Sequence, residues 1–212
     1  MAQTLSAFTL THKDTTYNFK HVDLFDLSTT DEADYVKMSS DFDTAKSAFG
    51  QAVAWAFYSA SFAKPKIAYE TVKSKITEAK GKVKDYQRHD WFVYVGDKFL
   101  GSASVRTPDY DIENITSPIW EVSATVTKKF QSKGFASGLM KPFLKFISEQ
   151  FPKHTLLIRV SPTHAAAKHL VTKNHFKSMG TFSYPTNLVL ITLTFEYEIF
   201  VATEKTLSLG LS

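Results

Sequence analysis

The chain contains no cysteine at any of its 212 positions. This absence excludes a disulfide framework and a zinc site built from thiolates. It also excludes a thiol nucleophile, so any acyl transfer by this protein proceeds without an acyl-cysteine intermediate. One class of covalent mechanism is thereby removed before any motif is considered.

Arginine is scarce. Only three of the 25 basic residues are arginine, namely Arg88, Arg106 and Arg159. The net charge of +4 and the isoelectric point near 9.0 favour an anionic ligand or partner. Lysine, however, lacks the planar fork that reads guanine or phosphate with two hydrogen bonds. The balance fits a phosphate-bearing cofactor better than sequence-specific DNA recognition, and nucleic acid is not expected as a partner.

Long apolar runs are also missing. None reaches the roughly 18 residues that a membrane-spanning helix requires. The first residues, MAQTLSAFTLTHKD, lack a basic segment followed by an apolar stretch, so no signal peptide is predicted. With 43% hydrophobic and 22% charged residues, the composition is that of a globular protein. We therefore expect a soluble, cytoplasmic protein with no membrane partner.

Residues 1–212 are predicted to form a single domain whose first 90 residues are mainly helical. A strand is expected near Tyr17 to Phe25, and the helix-start residues at 28–32 predict a helix. A second helix is predicted after Asp43 and runs through Phe62. A third is predicted after Pro65, where apolar residues recur at spacings of three and four. The lysines interspersed on the last of these helices are interpreted as a solvated face.

From Trp91 the apolar pattern changes to the period of strands, and residues 91–200 are predicted to form the core, with 201–212 as a tail. The predicted elements are a hairpin Trp91–Val95 and Phe99–Arg106, a strand Ile119–Thr127, a helix Gly134–Phe151 that contains Pro142, a strand Thr155–Val160, a helix His164–Asn174, and strands Met179–Tyr184 and Leu188–Ile199. This order indicates an α/β fold with a mixed sheet and helices on both faces.

The segment 131–136 is predicted to lie where a strand ends and a helix begins. At such a junction several backbone N–H groups are unpaired, and the helix dipole adds partial positive charge, so a pyrophosphate fits there. Gly134 permits a positive φ or a close approach of the backbone, while Lys128, Lys129 and Lys133 can offset phosphate charge. An ordinary strand-to-helix turn, in which the glycine only relieves strain, is the alternative interpretation.

The residues Gln131, Gly134 and Ala136 match a signature of Gln or Arg, two residues, Gly, one residue, then Gly or Ala. In this the chain resembles the GNAT superfamily of acyl-CoA-dependent N-acetyltransferases. The resemblance covers the element order from residue 91 to about 199. It implies a GNAT-like sheet of six to seven strands that splays between the family's fourth and fifth strands, here Ile119–Thr127 and Leu156–Val160.

The resemblance further implies acetyl-CoA as co-substrate and no metal. In that family the pantetheine arm inserts beside the fourth strand as an extra strand would, and a backbone N–H of that strand stabilises the developing oxyanion. The cofactor-binding residues implied are Thr125, Val126, Thr127, Gln131, Ser132, Lys133, Gly134, Phe135, Ala136 and Ser137.

The family's later motif aligns here on Ala167, Leu170 and Phe176. This alignment places His164 at the family's asparagine, Val171 at its tyrosine and His175 at its glycine. The tyrosine often protonates the departing thiolate, which valine cannot do. Three alternatives stay open: another acid such as Tyr184 or His164, protonation by water, or a protein without catalysis.

For the general base, some members of the family use a glutamate on the fourth strand, where this chain has Glu121; an edge salt bridge is the alternative role. His164 at the carboxyl end of the next parallel strand could relay a proton, or it could be a solvated helix-start residue. The spacing of His164, His169 and His175 does not match a zinc-binding helix, so no metal site is predicted.

These features predict direct transfer of an acetyl group from acetyl-CoA to a primary amine of a small molecule or a protein. The main rival is a catalytically silent GNAT-fold module that binds acyl-CoA or a protein. A nucleic-acid-binding protein that uses the lysine-rich helix is a third hypothesis, but the sequence contains no motif typical of DNA or RNA recognition. The oligomeric state stays open, with a homodimer among the alternatives.

Overall fold

The computed structural model of the chain describes residues 5–40, 67–110, 112–188 and 191–203. The helix predicted after Asp43 lies outside these residues, as does most of the predicted tail. No helix in the described part of the chain is long and apolar enough to cross a membrane.

The described residues form eight strands and four α-helices. In chain order these are β1 Phe8–His12, β2 Thr15–Val22, α1 Thr29–Ser40, α2 Ile67–Lys82, β3 Arg88–Val95, β4 Lys98–Arg106, β5 Ile119–Val126, α3 Phe135–Gln150, β6 Thr155–Val160, α4 Ala165–Lys173, β7 Lys177–Leu188 and β8 Ile191–Val201, with a 3₁₀ turn at Lys128–Phe130. The strands form one sheet in the order β1-β2-β3-β4-β5-β6-β8-β7. All neighbours are antiparallel except β5 and β6. The predicted mixed α/β fold is confirmed.

The sheet has eight strands among the described residues, whereas six to seven were predicted, because β1 adds an edge strand. A tight turn with Lys13 at φ 53° joins β1 to β2. The ring of Phe8 stacks on Phe19 at 4.3 Å and on Phe146 of α3 at 3.8 Å between centroids. This strand is held by aromatic contacts with a helix far along the chain, so the local pattern alone does not predict it.

Side-chain alternation along the strands gives the sheet two faces, each covered by helices. On one face Trp91 and Trp120 belong to a core cluster with Phe143 of α3. On the other face Phe92 belongs to a smaller cluster with Ile76 of α2 and with residues of α1. The prediction of helices on both faces is therefore confirmed.

Helix α3 continues through Pro142 from its first to its last turn. The ring of a proline crowds the carbonyl group of the residue four positions earlier, which here is Gly138. A Cβ atom at Gly138 would lie 2.8 Å from the hydroxyl oxygen of Tyr17 on β2. The lack of a side chain at Gly138 thus lets α3 approach the sheet.

Strands β5 and β6 pair over only three positions and then part. The pairs join Ile119 to Thr155, Trp120 to Leu156 and Glu121 to Leu157. Both strands run on beyond the last pair, β5 to Val126 and β6 to Val160. This is the splay that the family resemblance implies, and it leaves one edge of β5 without a neighbouring strand.

The buried imidazole of His89 makes the stability of the fold depend on pH. His89 is 9% exposed and lies among the rings of Trp91, Trp120 and Phe151, at 5.8 to 6.3 Å between centroids. Burial lowers the pKa of His89, and the neighbouring His21 lowers it further, whereas Asp90 raises it. The folded state therefore binds fewer protons than the unfolded state below about pH 6.5, the ordinary histidine pKa.

We predict that the free energy of unfolding decreases as pH falls below about 6.5, since protonation then favours the unfolded chain. The variant His89→Phe keeps an aromatic ring there but cannot titrate, so its stability should decrease less. Urea unfolding followed by tryptophan fluorescence at pH 7.5 and 5.5 measures the difference. His169→Phe, at an exposed helical position, is the control and should keep the wild-type pH dependence. An unchanged pH dependence in His89→Phe would contradict the prediction.

Candidate active site

A cavity of about 400 Å³ lies at the gap between β5 and β6. Its lining comes from both faces of the sheet. Apolar side chains of α3 and α4 line one side: Leu139, Met140, Phe143, Leu144, Ala167, Leu170 and Val171. Charged and hydroxyl side chains line the other: Lys75, Arg88, Asp90, Ser102, Ser104, Arg106, Glu121, Arg159 and Tyr197. The cavity thus connects two chemically different ends through the gap in the sheet.

The beginning of α3 presents backbone N–H groups that the fold leaves unused. The helix begins after Gly134, which has φ 81° and provides no side-chain cap. The first main-chain bond recorded for this end joins the N–H of Gly138 to the carbonyl of Gly134 at 2.9 Å. Because the three amides before Gly138 have no partner within the helix, they are available to an anion. A Cβ atom at Gly134 would meet no atom within 4 Å, so this approach is open.

The turn before α3 adds to this anion-binding geometry. Ser132 adopts a left-handed conformation with φ 59°, two residues before left-handed Gly134. Alternating backbone conformations of this kind direct successive N–H groups into one concavity, called a nest. The ammonium groups of Lys129 and Lys133 lie 5.8 and 5.9 Å from the ring centroid of Phe130, beside the same turn. The turn therefore combines unpaired backbone amides with the positive charge of two lysine side chains.

The side chain of Gln131 binds the end of β5. Its side-chain amide donates a hydrogen bond to the carbonyl oxygen of Val126 at 2.8 Å. This bond ties the turn to the last residue of β5. The glutamine of the signature therefore positions the nest at the end of the open strand edge.

The main-chain groups of Thr125 and Thr127 face β4. The N–H of Thr127 donates to the carbonyl of Leu100 at 2.9 Å. The carbonyl oxygen of Thr125 lies so close to Gly101 that a Cβ atom there would be 1.9 Å away. Both threonines were predicted to bind the cofactor, but their backbone groups belong to the ladder with the neighbouring strand.

The open edge of β5 is formed instead by Ala124 and by the N–H of Val126, since the carbonyl of Val126 already accepts from Gln131. Main-chain groups alternate sides along a strand, so these residues face away from β4. On that same edge the carbonyl of Pro118 accepts a hydrogen bond from the N–H of Thr155 at 2.8 Å, where β6 still runs alongside. Of the three predicted residues 125–127, only Val126 presents backbone groups to the gap, and Ala124, which was not predicted, does so too. The sequence shows the alternation but not which set of residues faces which neighbour.

Glu121 lies at the last paired position of β5 and is bound by two arginines. Its Oε1 accepts a hydrogen bond from Arg106 at 2.9 Å and forms an ion pair with Arg159 at 3.1 Å, and its Oε2 accepts a hydrogen bond from the Tyr110 hydroxyl at 2.9 Å. The guanidinium of Arg159 lies between the rings of Tyr110 and Tyr197, 5.0 and 4.8 Å from their centroids. The side chain of Glu121 is 4% exposed. This ion-pair cluster joins β4, β5 and β6.

The cluster counts against Glu121 as a general base. Burial by itself would raise the pKa of its carboxyl, but the two guanidinium groups and the hydrogen bonds outweigh burial and lower the pKa to about 2. A base works best with a pKa near the working pH, and this carboxylate has little affinity for a proton. The salt bridge considered as the alternative role is the one that the structure supports.

Residues 24–177, well over half of the chain, match the family described as Acetyltransferase (GNAT) domain. The chain belongs to the GNAT acetyltransferase family. The predicted family and fold are therefore confirmed. A comparison with curated protein sequences gives no significant match.

Solved structures show how widely the GNAT fold is shared. The ribosomal L7/L12 alpha-N-protein acetyltransferase RimL, in complex with coenzyme A, has a TM-score of 0.60 at 10% identity and covers 94% of this chain and 99% of its own. Mycobacterium smegmatis RimJ, with a CoA disulfide, has 0.61 at 9% identity and covers 95% and 88%. The aminoglycoside acetyltransferase AAC(6')-Ib, with coenzyme A, has 0.64 at 12% identity and covers 92% and 99%. At these identities the likeness shows the fold alone.

His164, at the position of the GNAT asparagine, lines the cavity and caps α4. Its Nδ1 accepts a hydrogen bond from the N–H of Ala167 at 3.2 Å. Burial lowers the pKa of His164, although a backbone hydrogen bond partly opposes this. A neutral ring whose Nδ1 accepts must carry its proton on Nε2. In this state His164 can donate a hydrogen bond, which does not favour the proton relay predicted for it.

Val171 and His175 also stand where the GNAT motif has other residues. Val171, where the family has tyrosine, is 3% exposed and lines the cavity. His175, where the family has glycine, has φ 62°, and the next N–H, of Phe176, bonds to the carbonyl of Val171 at 3.2 Å. This is the left-handed helix end that glycine commonly forms, which supports the alignment. The backbone of Tyr184 lies in β7, but its side chain is outside the described residues, so its role stays a prediction.

We predict that Glu121→Gln lowers the free energy of unfolding by about 3 kcal/mol, because two buried guanidinium groups lose their counter-charge. Urea unfolding measures the change. The control Glu113→Gln alters an exposed loop position and should have almost no effect. If Glu121→Gln were fully stable but lost a limb of its pH-rate profile, Glu121 would be a base and this account of it would be wrong.

Proposed function

We propose that this protein is an N-acetyltransferase that transfers the acetyl group of acetyl-CoA directly to a primary amine in a ternary complex. The observation that carries the proposal is the gap between β5 and β6, whose open strand edge leads to the bare amides that begin α3. Family membership supports acetyl-CoA as the donor.

The residues along this path suit the successive parts of acetyl-CoA. The amides of 132–137, with Lys129 and Lys133 beside them, suit the pyrophosphate. The open edge at Ala124 and the N–H of Val126 suits the amide groups of pantetheine, which would add to β5 as a further strand does. The apolar side chains of α3 and α4 would exclude water from the thioester.

The proposed reaction needs little from acidic or basic side chains. The nitrogen of a neutral amine forms a bond to the acetyl carbon, the carbon–sulfur bond breaks, and the amine loses one proton. The N–H of Ala124 is our choice for the group that stabilises the oxyanion. Because Glu121 binds two arginines, the proton is assigned to water. A thiol with a pKa of roughly 8.5 leaves without a strong acid, so valine at position 171 is compatible with turnover.

A catalytically silent module that binds acyl-CoA is the second candidate function. Two observations favour it: Val171 stands where the family has its acid, and Glu121 is held by arginines. The two functions differ in thiol release from acetyl-CoA in the presence of an amine panel. Release at a rate that depends on the amine supports the enzyme, whereas binding without release supports the silent module.

We predict that acetyl-CoA raises the melting temperature of the wild-type protein, since a ligand that binds only the native state adds RT ln(1 + [L]/Kd) to its stability. Gly134→Glu should abolish this rise, because it places bulk and negative charge against the pyrophosphate. Differential scanning fluorimetry at millimolar acetyl-CoA measures both effects.

The control for backbone strain is Gly96→Glu. Gly96 also has a left-handed conformation, φ 60°, with no atom within 4 Å of an added Cβ, but it lies in the β3–β4 turn. This variant should be destabilised in a similar way and still respond to acetyl-CoA. An equal rise in both variants would remove Gly134 from the cofactor site.

A further inference from the structure

All three arginines of the chain line the same cavity. The side chains of Arg88, Arg106 and Arg159 are only 15 to 17% exposed, although the other basic residues of this sequence are lysines. Arginine is the cation that binds carboxylate and phosphate through a planar fork. Its confinement to one place points to a local requirement for such groups.

These arginines lie on the face of the sheet opposite to α3. Arg88 shares a face of β3 with Phe92, which packs towards α1 and α2. Arg106 is the cross-strand partner of Arg88, and Glu121 is the partner of Arg106. The cationic end of the cavity is therefore separated by the sheet from the amides proposed to bind the pyrophosphate. The phosphates of the donor do not account for this positive charge.

Positive charge exceeds negative charge at this end. Asp90 binds Arg88 through two hydrogen bonds of 2.7 and 2.8 Å. A single oxygen of Glu121 is shared by the two other arginines. Four cationic side chains, which include Lys75, thus line the cavity with two carboxylates. Asp109, just outside the lining, reduces the excess without removing it.

Lys75 is the cation of this group that forms no direct ion pair with a described residue. It lies on α2 and lines the cavity, and within the described parts of the chain it has neither a hydrogen bond nor an ion pair. Burial lowers the pKa of Lys75, and the nearby guanidinium groups of Arg159 and Arg106 lower it further, whereas Asp109 and Glu78 raise it in part. An ammonium group beside two guanidinium groups is unfavourable unless an anion binds between them.

We propose that the acceptor amine carries an anionic oxygen group, a carboxylate or a phosphate, which binds at the cationic end between Lys75, Arg106 and Arg159. This proposal rests on the function proposed above, in which the donor occupies the other end and the acetyl group reaches the gap. The acceptor then spans from the cationic end to the gap. The hydroxyls of Ser104 and Ser123, 2.8 Å apart, offer further hydrogen bonds along that path.

Matched acceptors that differ in one charge test the proposal. Thiol release from acetyl-CoA is measured with β-alanine against β-alaninamide, and with phosphoethanolamine against ethanolamine. The anionic member should have a kcat/KM at least about tenfold higher, the factor expected of one charge-assisted hydrogen bond. Preference in the first pair indicates a carboxylate, and preference in the second indicates a phosphate. Equal or better use of the uncharged members in both pairs would overturn the proposal.

The variant Lys75→Met removes the uncompensated charge and keeps the length of the side chain. The KM for the preferred anionic acceptor should rise about tenfold, while the KM for acetyl-CoA stays unchanged and the melting temperature does not fall, since a repulsive charge is removed. The control is Lys82→Met, at an exposed position at the end of the same helix, and it should leave both KM values unchanged. An unchanged KM for the anionic acceptor in Lys75→Met would contradict the proposal.

A binding experiment separates failure of this proposal from failure of the proposed function. Calorimetry with N-acetyl-β-alanine and its amide tests the cationic end without turnover, and only the acid should bind. If acetyl-CoA raises the melting temperature but neither acid nor anionic amines are preferred, the donor assignment stands and the anionic acceptor is wrong. If acetyl-CoA has no effect, the proposed function itself fails.

Discussion

The ion-pair cluster centred on Glu121 is the constraint on which the site depends. It lies at the last rung of the β5–β6 ladder and binds a guanidinium from each neighbouring strand, so it fixes three strands at the point where two of them part. Removing one member of such a buried cluster leaves charges without partners, which is strongly unfavourable. The cluster therefore ties the strands together at the place where they part, and the lowered pKa of Glu121 within it counts against that carboxylate as a general base.

The open edge of β5 follows from this parting, and the nest before α3 and the cationic end of the cavity lie on either side of it. Had β6 continued to pair beyond Leu157, the backbone of Ala124 and Val126 would be used within the sheet. Because the ladder stops, β5 borders the cavity along its open edge. Gln131 joins the end of β5 to the nest. A donor with a pyrophosphate at one end and a thioester at the other matches this arrangement, and the cationic side of the gap is left for a second reactant.

The local elements of the fold could be predicted from the sequence, whereas contacts between distant segments could not. The strand predicted at 155–160 and the helix predicted at 134–151 agree with β6 and with α3 to within a residue, because their apolar periods are strong and their ends carry turn chemistry. The signature at 131–136 located the nest. Contacts between distant segments were not predictable: the edge strand β1 depends on Phe146, and the role of Glu121 depends on Arg106 and Arg159. Strand register decides that the main-chain groups of Ala124, and not those of Thr125, face the gap.

Amide hydrogen exchange with and without coenzyme A tests most directly whether the parted edge of β5 and the start of α3 form the cofactor site. The account predicts that coenzyme A slows exchange at Ala124, at Val126 and at residues 132–137. Thr127, whose N–H already bonds to Leu100, should exchange at the same rate in both states. Protection confined to other parts of the chain, or none at all at saturating coenzyme A, would contradict it.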